Sequence, residues 1–170
     1  MDNFDLRQIT MNRDSTVLTG LSGTATTVST TSTPSYYLNG KITASTNQSS
    51  GATPTTDIVT GAAFKPLTGT TAALGTGCVF VFGWDSSAPT VFSVAQGKVV
   101  KTLDVVNGAA AYEFPSIPKT FCPVAYVTIG YIGSTLWLFG TSNWDATTVT
   151  IGTVINCAML PRQPLTAVTS

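Results

Sequence analysis

Apolar positions in this chain alternate or run in short blocks, and nowhere recur with a sustained helical period. The densest block, residues 121–159, reads FCPVAYVTIGYIGSTLWLFGTSNWDATTVTIGTVINCAM. β-Branched and aromatic residues dominate it, and Gly and Ser-Thr-Asn clusters divide it into three predicted strands, 124–132, 136–139 and 147–155. In the first, Val124, Tyr126, Thr128, Gly130 and Ile132 alternate with Ala125, Val127, Ile129 and Tyr131. Both sets are mostly apolar, which predicts a central strand covered on both faces. In the third, Val149, Ile151, Thr153 and Ile155 share one face, and Thr148, Thr150 and Gly152 the other.

The rest of the chain reads the same way. In YYLNGKITA (36–44), Asn39-Gly40 between apolar flanks predicts a two-residue hairpin. Residues 57–59 and 62–64 form a weaker strand pair. CVFVFG (78–83) predicts a buried strand, Asp85 an Asx-turn, and 91–95 the return strand. A further strand is expected over 98–106, then a hairpin turn at Asn107-Gly108 and a strand over 109–114. Pro115, Pro118 and Pro123 punctuate the approach to the dense block and argue against a helix there. Segments 79–94 (VFVFGWDSSAPTVFSV) and 136–151 (LWLFGTSNWDATTVTI) resemble each other, as two equivalent hairpins would. A propeller is excluded, because no period of about 40 residues exists.

About eight to ten short strands with Gly and Pro turns define an all-β chain. The expected architecture is a single antiparallel β-sandwich or barrel-like domain, jelly-roll-like in one version, with an extended N-terminal arm. The arm is residues 1–35, the β-sandwich domain 36–160, and an extended C-terminal tail 161–170. Five of the sixteen charged residues fall within residues 1–14 of the arm, where Phe4, Leu6 and Ile9 are scattered apolar anchors for a partner. Residues 15–35 read either as an exposed strand pair or linker, or as a segment that adds a strand to a neighbour.

Charge changes this picture most. Only 9% of the 170 residues are charged, against about 25% in ordinary domains. Polarity comes from Thr, Ser, Asn and Gly, so the sheets should carry neutral, hydroxylated faces. Weak repulsion permits self-association, and a homo-oligomer is expected. The net charge is zero and the closest basic pair is Lys98 and Lys101, which argues against nucleic-acid binding. The first residues lack a basic stretch followed by an apolar one, so no signal peptide is expected. No apolar run approaches the ~20 residues of a membrane span, so no membrane partner is expected.

The chain holds no His, the commonest general base and metal ligand. Cys78, Cys122 and Cys157 are widely spaced with no CxxC, so they read as reduced, buried thiols, one disulfide being the alternative. Asp85 and Asp145 both follow Trp. They would make a hydrolase pair only if they faced each other across a cleft, and read more simply as turn aspartates. No catalytic, cofactor or metal residues are assigned, and no enzyme is expected. Trp137 reads as core; Trp84 and Trp144, at turns, read as partner-interface candidates.

Several segments carry a resemblance: YYLNGKITA, TDIVTGAAFKPL (56–67), VFVFG (79–83), AQGKV (95–99), FPSIP (114–118), CPVAYVTI (122–129), FGTSNWDATTVT (139–150) and MLPRQP (159–164). In that order they resemble virion structural proteins of tailed bacteriophages, specifically small β-rich capsid decoration (cement) proteins. The resemblance covers most of residues 36–164 and brings no catalytic residues. It implies a protein made in the host cytoplasm that binds the outer capsid surface and braces neighbouring capsomers. Its partners would be the major capsid protein and copies of itself. The alternative is a carbohydrate-binding or host-attachment module on a phage head or tail fibre, motivated by Trp84, Trp144 and the neutral polar faces.

Overall fold

The computed structural model describes residues 11–12, 18–19, 21, 27–30, 35–38, 41–44, 51–71 and 74–157. In chain order its strands are β1 (Met11–Asn12), β2 (Leu18–Thr19), β3 (Thr27–Thr30), β4 (Ser35–Leu38), β5 (Lys41–Ala44) and β6 (Gly51–Ala52). There follow β7 (Thr76–Asp85), β8 (Ala88–Gln96), β9 (Val100–Lys101), β10 (Phe121–Tyr131), β11 (Val149–Ile151) and β12 (Ile155–Asn156). Among the described residues the single helix is α1 (Thr102–Val106). The chain is thus mostly strand with almost no helix, and its sheets are not closed.

β7 and β10 lie side by side, antiparallel, from Thr76 opposite Tyr131 to Asp85 opposite Phe121. β8 and β9 pair with the other edge of β7, and β11 and β12 with the other edge of β10. Two smaller antiparallel sheets, β1-β4-β5 and β2-β3-β6, complete the described strands. In β7, Cys78, Phe80, Phe82 and Trp84 enter a large apolar cluster, while Val79 and Val81 enter a smaller one. Two-residue alternation with both sets apolar requires cover on both faces, and β10 is buried on both as its sequence predicts.

The strand interrupts its own alternation once. Pro123, expected ahead of the strand, lies inside it opposite Gly83, and the register shifts between Pro123 and Ala125. Proline offers no N–H to a ladder, and a bulge is where a central strand tolerates it. The extra residue moves Val124 into the cluster of Ala125, Val127 and Ile129; strict alternation had placed it with Tyr126, which lies in the smaller cluster. Gly83 completes the arrangement. A Cβ there would meet the Cys122 carbonyl oxygen, and the Phe121 ring at 2.7 Å.

The large cluster is aromatic at its centre. Phe139 sits among Phe64, Phe80, Phe82, Trp137 and Trp144, with ring centroids 4.6 Å from Phe80 and 5.3 Å from Trp144. Trp84 stacks between Tyr36 and Phe92 at 5.5 and 5.1 Å. Leu18 of β2, Val28 of β3 and Tyr36 of β4 belong to the same cluster. Residues 18 and 28 therefore share the core of the body, although the sequence places them in the arm. Phe4, Leu6, Ile9 and the tail 161–170 lie outside the described residues.

Several predicted elements differ. Residues 136–139 form no strand; Trp137 and Leu67 exchange both backbone hydrogen bonds as an isolated bridge, at 2.9 and 3.0 Å. The following loop is tied by side chains: the Leu138 N–H donates to Ser142 Oγ, and the Trp137 indole donates to the Asn143 carbonyl. Segment 136–151 is thus no counterpart of the β7–β8 hairpin at 79–94. The predicted strand 147–155 divides into β11 and β12, which pair with β10 separately. Residues 57–59 and 62–64 form a turn closed by a Thr56–Ala63 bridge instead of a strand pair, and 109–114 form no strand apart from a bridge position at Tyr112. The predicted strand 98–106 stops at Lys101 and becomes α1.

Asn107-Gly108 closes that helix. Gly108, at φ 72°, donates to the Val105 carbonyl, and Ala109 donates to that of Asp104, the paired bonds of a glycine-terminated helix. A left-handed glycine suits a tight hairpin and a helix end equally, so the dipeptide alone does not choose. At Asn39-Gly40 the hairpin does form: Leu38 pairs with Lys41, leaving two residues between the strands.

Neighbouring residues of the 132–148 segment should respond differently to truncation. Phe139→Ala, in the aromatic centre, is expected to cost about 3–5 kcal/mol, and Leu136→Ala, on an exposed side chain, within about 0.5 kcal/mol. Urea unfolding of the two variants measures the difference.

Candidate functional site

Two places gather polar side chains. The first is the common end of β7, β8 and β10. The Ser87 N–H and hydroxyl donate to Asp85 Oδ1 at 2.9 and 2.6 Å, and the Thr120 hydroxyl donates to Oδ2 at 2.7 Å. The predicted Asx-turn is present and extended, because Thr120 directly precedes β10. Burial pushes the Asp85 carboxyl up, but hydrogen bonds from Ser87, Thr120 and the Ser86 backbone outweigh it and hold it below the usual carboxylate range. These bonds stabilise the charged form and fix a turn. Asp145, by contrast, is exposed.

The second is a cleft of about 320 Å³ between the 57–62 turn, the end of β8 and Pro115-Ser116. Asp57, buried beneath it, accepts the N–H groups of Val59 and Gln96 on Oδ1 and the Thr60 hydroxyl on Oδ2. The Gln96 side chain grips the backbone of Lys65 twice: Oε1 accepts its N–H at 2.7 Å, and Nε2 donates to its carbonyl at 2.8 Å. Lys65 and Lys98 stand exposed on the rim. The buried groups thus build the wall, and the rim offers two cations. Among the described residues no group of three potential metal ligands occurs, and no helix is long and apolar enough to cross a membrane.

The tryptophans read as interface candidates are core residues within the chain. Trp84 and Trp144 are both buried, and neither indole N–H has a hydrogen-bond partner among the described residues. Trp84 continues the alternation of Cys78, Phe80 and Phe82, and this continuation was the signal for burial in the sequence. Trp144 lies in a loop that folds back so that its ring meets Trp137 at 5.4 Å. Trp137 is core, as expected. The Asp57–Gln96–Lys65 network was not read from the sequence, because Asp57 and Gln96 are 39 residues apart.

All three cysteines are free, as the reading of reduced thiols predicts. Burial pushes Cys78 up to about 12, partly offset by the Gln96 amide; burial and then Cys157 push Cys122 to about 12, and burial pushes Cys157 to about 11. None is an activated nucleophile at neutral pH.

In comparisons with known proteins the chain matches no family model, no curated protein and no solved structure.

Two measurements check these assignments. The folded pKa of Asp85 lies below its unfolded value, so its stabilisation is present above the ordinary carboxylate range and lost as pH falls through the lowered value. The stability gap between the wild type and Asp85→Asn should be constant near neutrality and close below about pH 4. Separately, an aromatic disulfide reagent at pH 7.5 should leave Cys78 and Cys122 unmodified in the native chain and modify them at once after unfolding in guanidinium.

Proposed function

We propose that this chain is a non-enzymatic virion structural protein, a head decoration protein. It binds the outside of a phage capsid and stabilises contacts between capsomers together with copies of itself. The observation that carries this reading is the chemistry of the described surface. It is poor in charge and rich in Thr, yet exposes large apolar side chains such as Ile42, Val91, Val106 and Leu136. Such a surface gains by burial against a complementary one, about 25 cal/mol for each Å² of apolar area, and requires no reaction. The most deeply held acids, Asp57 and Asp85, are engaged in holding turns. The sequence resemblance to capsid decoration proteins supports the same reading and supplies the partner, the major capsid protein, on the outer capsid surface.

The body is read as an antiparallel β-sandwich, with the two small sheets as a second layer. The burial of Leu18, Val28 and Tyr36 in the large cluster supports this. The arm is the segment that carries Phe4, Leu6 and Ile9. A carbohydrate-binding role finds no exposed indole at Trp84 or Trp144.

Because Leu18 and Val28 are core, the arm is tested by a short truncation. A chain lacking residues 1–10 should keep its far-UV circular dichroism and lose cosedimentation with purified, undecorated heads of the phage that encodes it. Undiminished cosedimentation would remove the arm from the mechanism, and failure of the full chain to cosediment would remove the decoration reading itself.

A further inference from the structure

We propose that one end of the central sheet, where β7 begins and β10 ends, is the surface through which two copies of this chain associate. β9 runs along β7 with Thr76 opposite Lys101 and Gly77 opposite Val100. One step on, Gly75 accepts the Thr102 N–H at 2.9 Å, so the same register sets Leu74 against Leu103. On the other side of Gly75 stands Ile132, whose Cγ2 lies 2.7 Å from where a Cβ on Gly75 would be. α1 adds Val106, one turn beyond Leu103 on the same helix face. Leu74, Leu103, Val106 and Ile132 are 58, 40, 63 and 37% exposed. Three separate stretches of the chain therefore converge on one apolar patch.

The helix makes this patch unlike scattered surface residues. Val105 points into the body and is buried, while Leu103 and Val106 face outward. A helix apolar on opposite sides is expected to be covered on both, and this chain covers one. Its end is already closed by the bonds to Gly108 and Ala109, so the outward face is presented without help from a partner. Contiguous exposed apolar surface of this kind marks an association site.

Charge selects the occupant. Lys101 and Asp104 border the patch, one helical turn apart and of opposite sign. About a twofold axis, Lys101 of each copy meets Asp104 of the other, so the patch is complementary to itself. A partner surface of one sign would set a like charge against one of them. The zero net charge of the chain leaves little repulsion between copies. This inference rests on the reading that the chain assembles with its own copies, and names the surface.

Sedimentation velocity on the full chain, without capsids, tests it. The wild type should pass reversibly from monomer to dimer as its concentration is raised. Val106→Lys, on an exposed side chain, should remain monomeric with unchanged circular dichroism. Lys101→Asp and Asp104→Lys should each weaken association roughly tenfold or more, and the double exchange Lys101→Asp/Asp104→Lys should restore it. A wild type that stays monomeric, a trimer, a Val106→Lys chain that still dimerises, or a double exchange no better than the single ones would each overturn the proposal. Head binding is read in a separate assay, so loss of either result leaves the other interpretable.

Discussion

β7 and β10 bury side chains on both of their faces, and that requirement shapes everything around them. A pair of long strands that is apolar on one side needs one partner layer; a pair that is apolar on both needs two. On one side the aromatic group around Phe139 meets it, drawn from the 51–75 and 132–148 segments and the small sheets. On the other side Val79, Val81, Phe121 and Tyr126 are covered by Ile58, Phe114, Ile117 and Cys157. Irregular segments, rather than further long strands, supply most of the cover, which explains why so many described residues lie outside regular structure.

That division also explains what could be read in advance. Period-two patterning in 78–85 and 121–131 is strong, and these strands were legible along with their burial on both faces. So was the Asn39-Gly40 hairpin, whose flanking strands have no competing conformation. The loop 136–148 was not legible as a loop, because Leu136, Trp137 and Phe139 have strand composition and fold through tertiary contacts. Residues 102–106 failed for a related reason: a five-residue helix has too few positions to show a helical period. Pro123 argued for an interruption and was right in kind, but the chain absorbs it as a bulge. Of the candidate site residues, Trp84 could have been placed by continuing the alternation, whereas Trp144 needed the fold.

A protein built this way has its chemistry turned inward. Asp85 holds the common end of three strands, Asp57 holds a turn to β8, and the thiols are protonated by burial. What remains outside is hydroxyl and hydrocarbon. Recognition by such a surface depends on shape and area more than on charge, so binding of this kind should vary little with ionic strength. This property suits an attachment that must persist through dilution and changing salt.

The grip of Gln96 on Lys65 has a consequence for solubility. Long strands leave unpaired backbone groups along their margins, and proteins commonly guard these with lysine or proline. Here a side-chain amide mimics a neighbouring backbone at the end of β8, and Ile58 takes the Val94 carbonyl just before it. At those positions no incoming strand finds a free donor or acceptor. A nearly neutral, Thr-rich chain thereby blocks runaway sheet growth at this margin without adding the charges that its outward chemistry avoids.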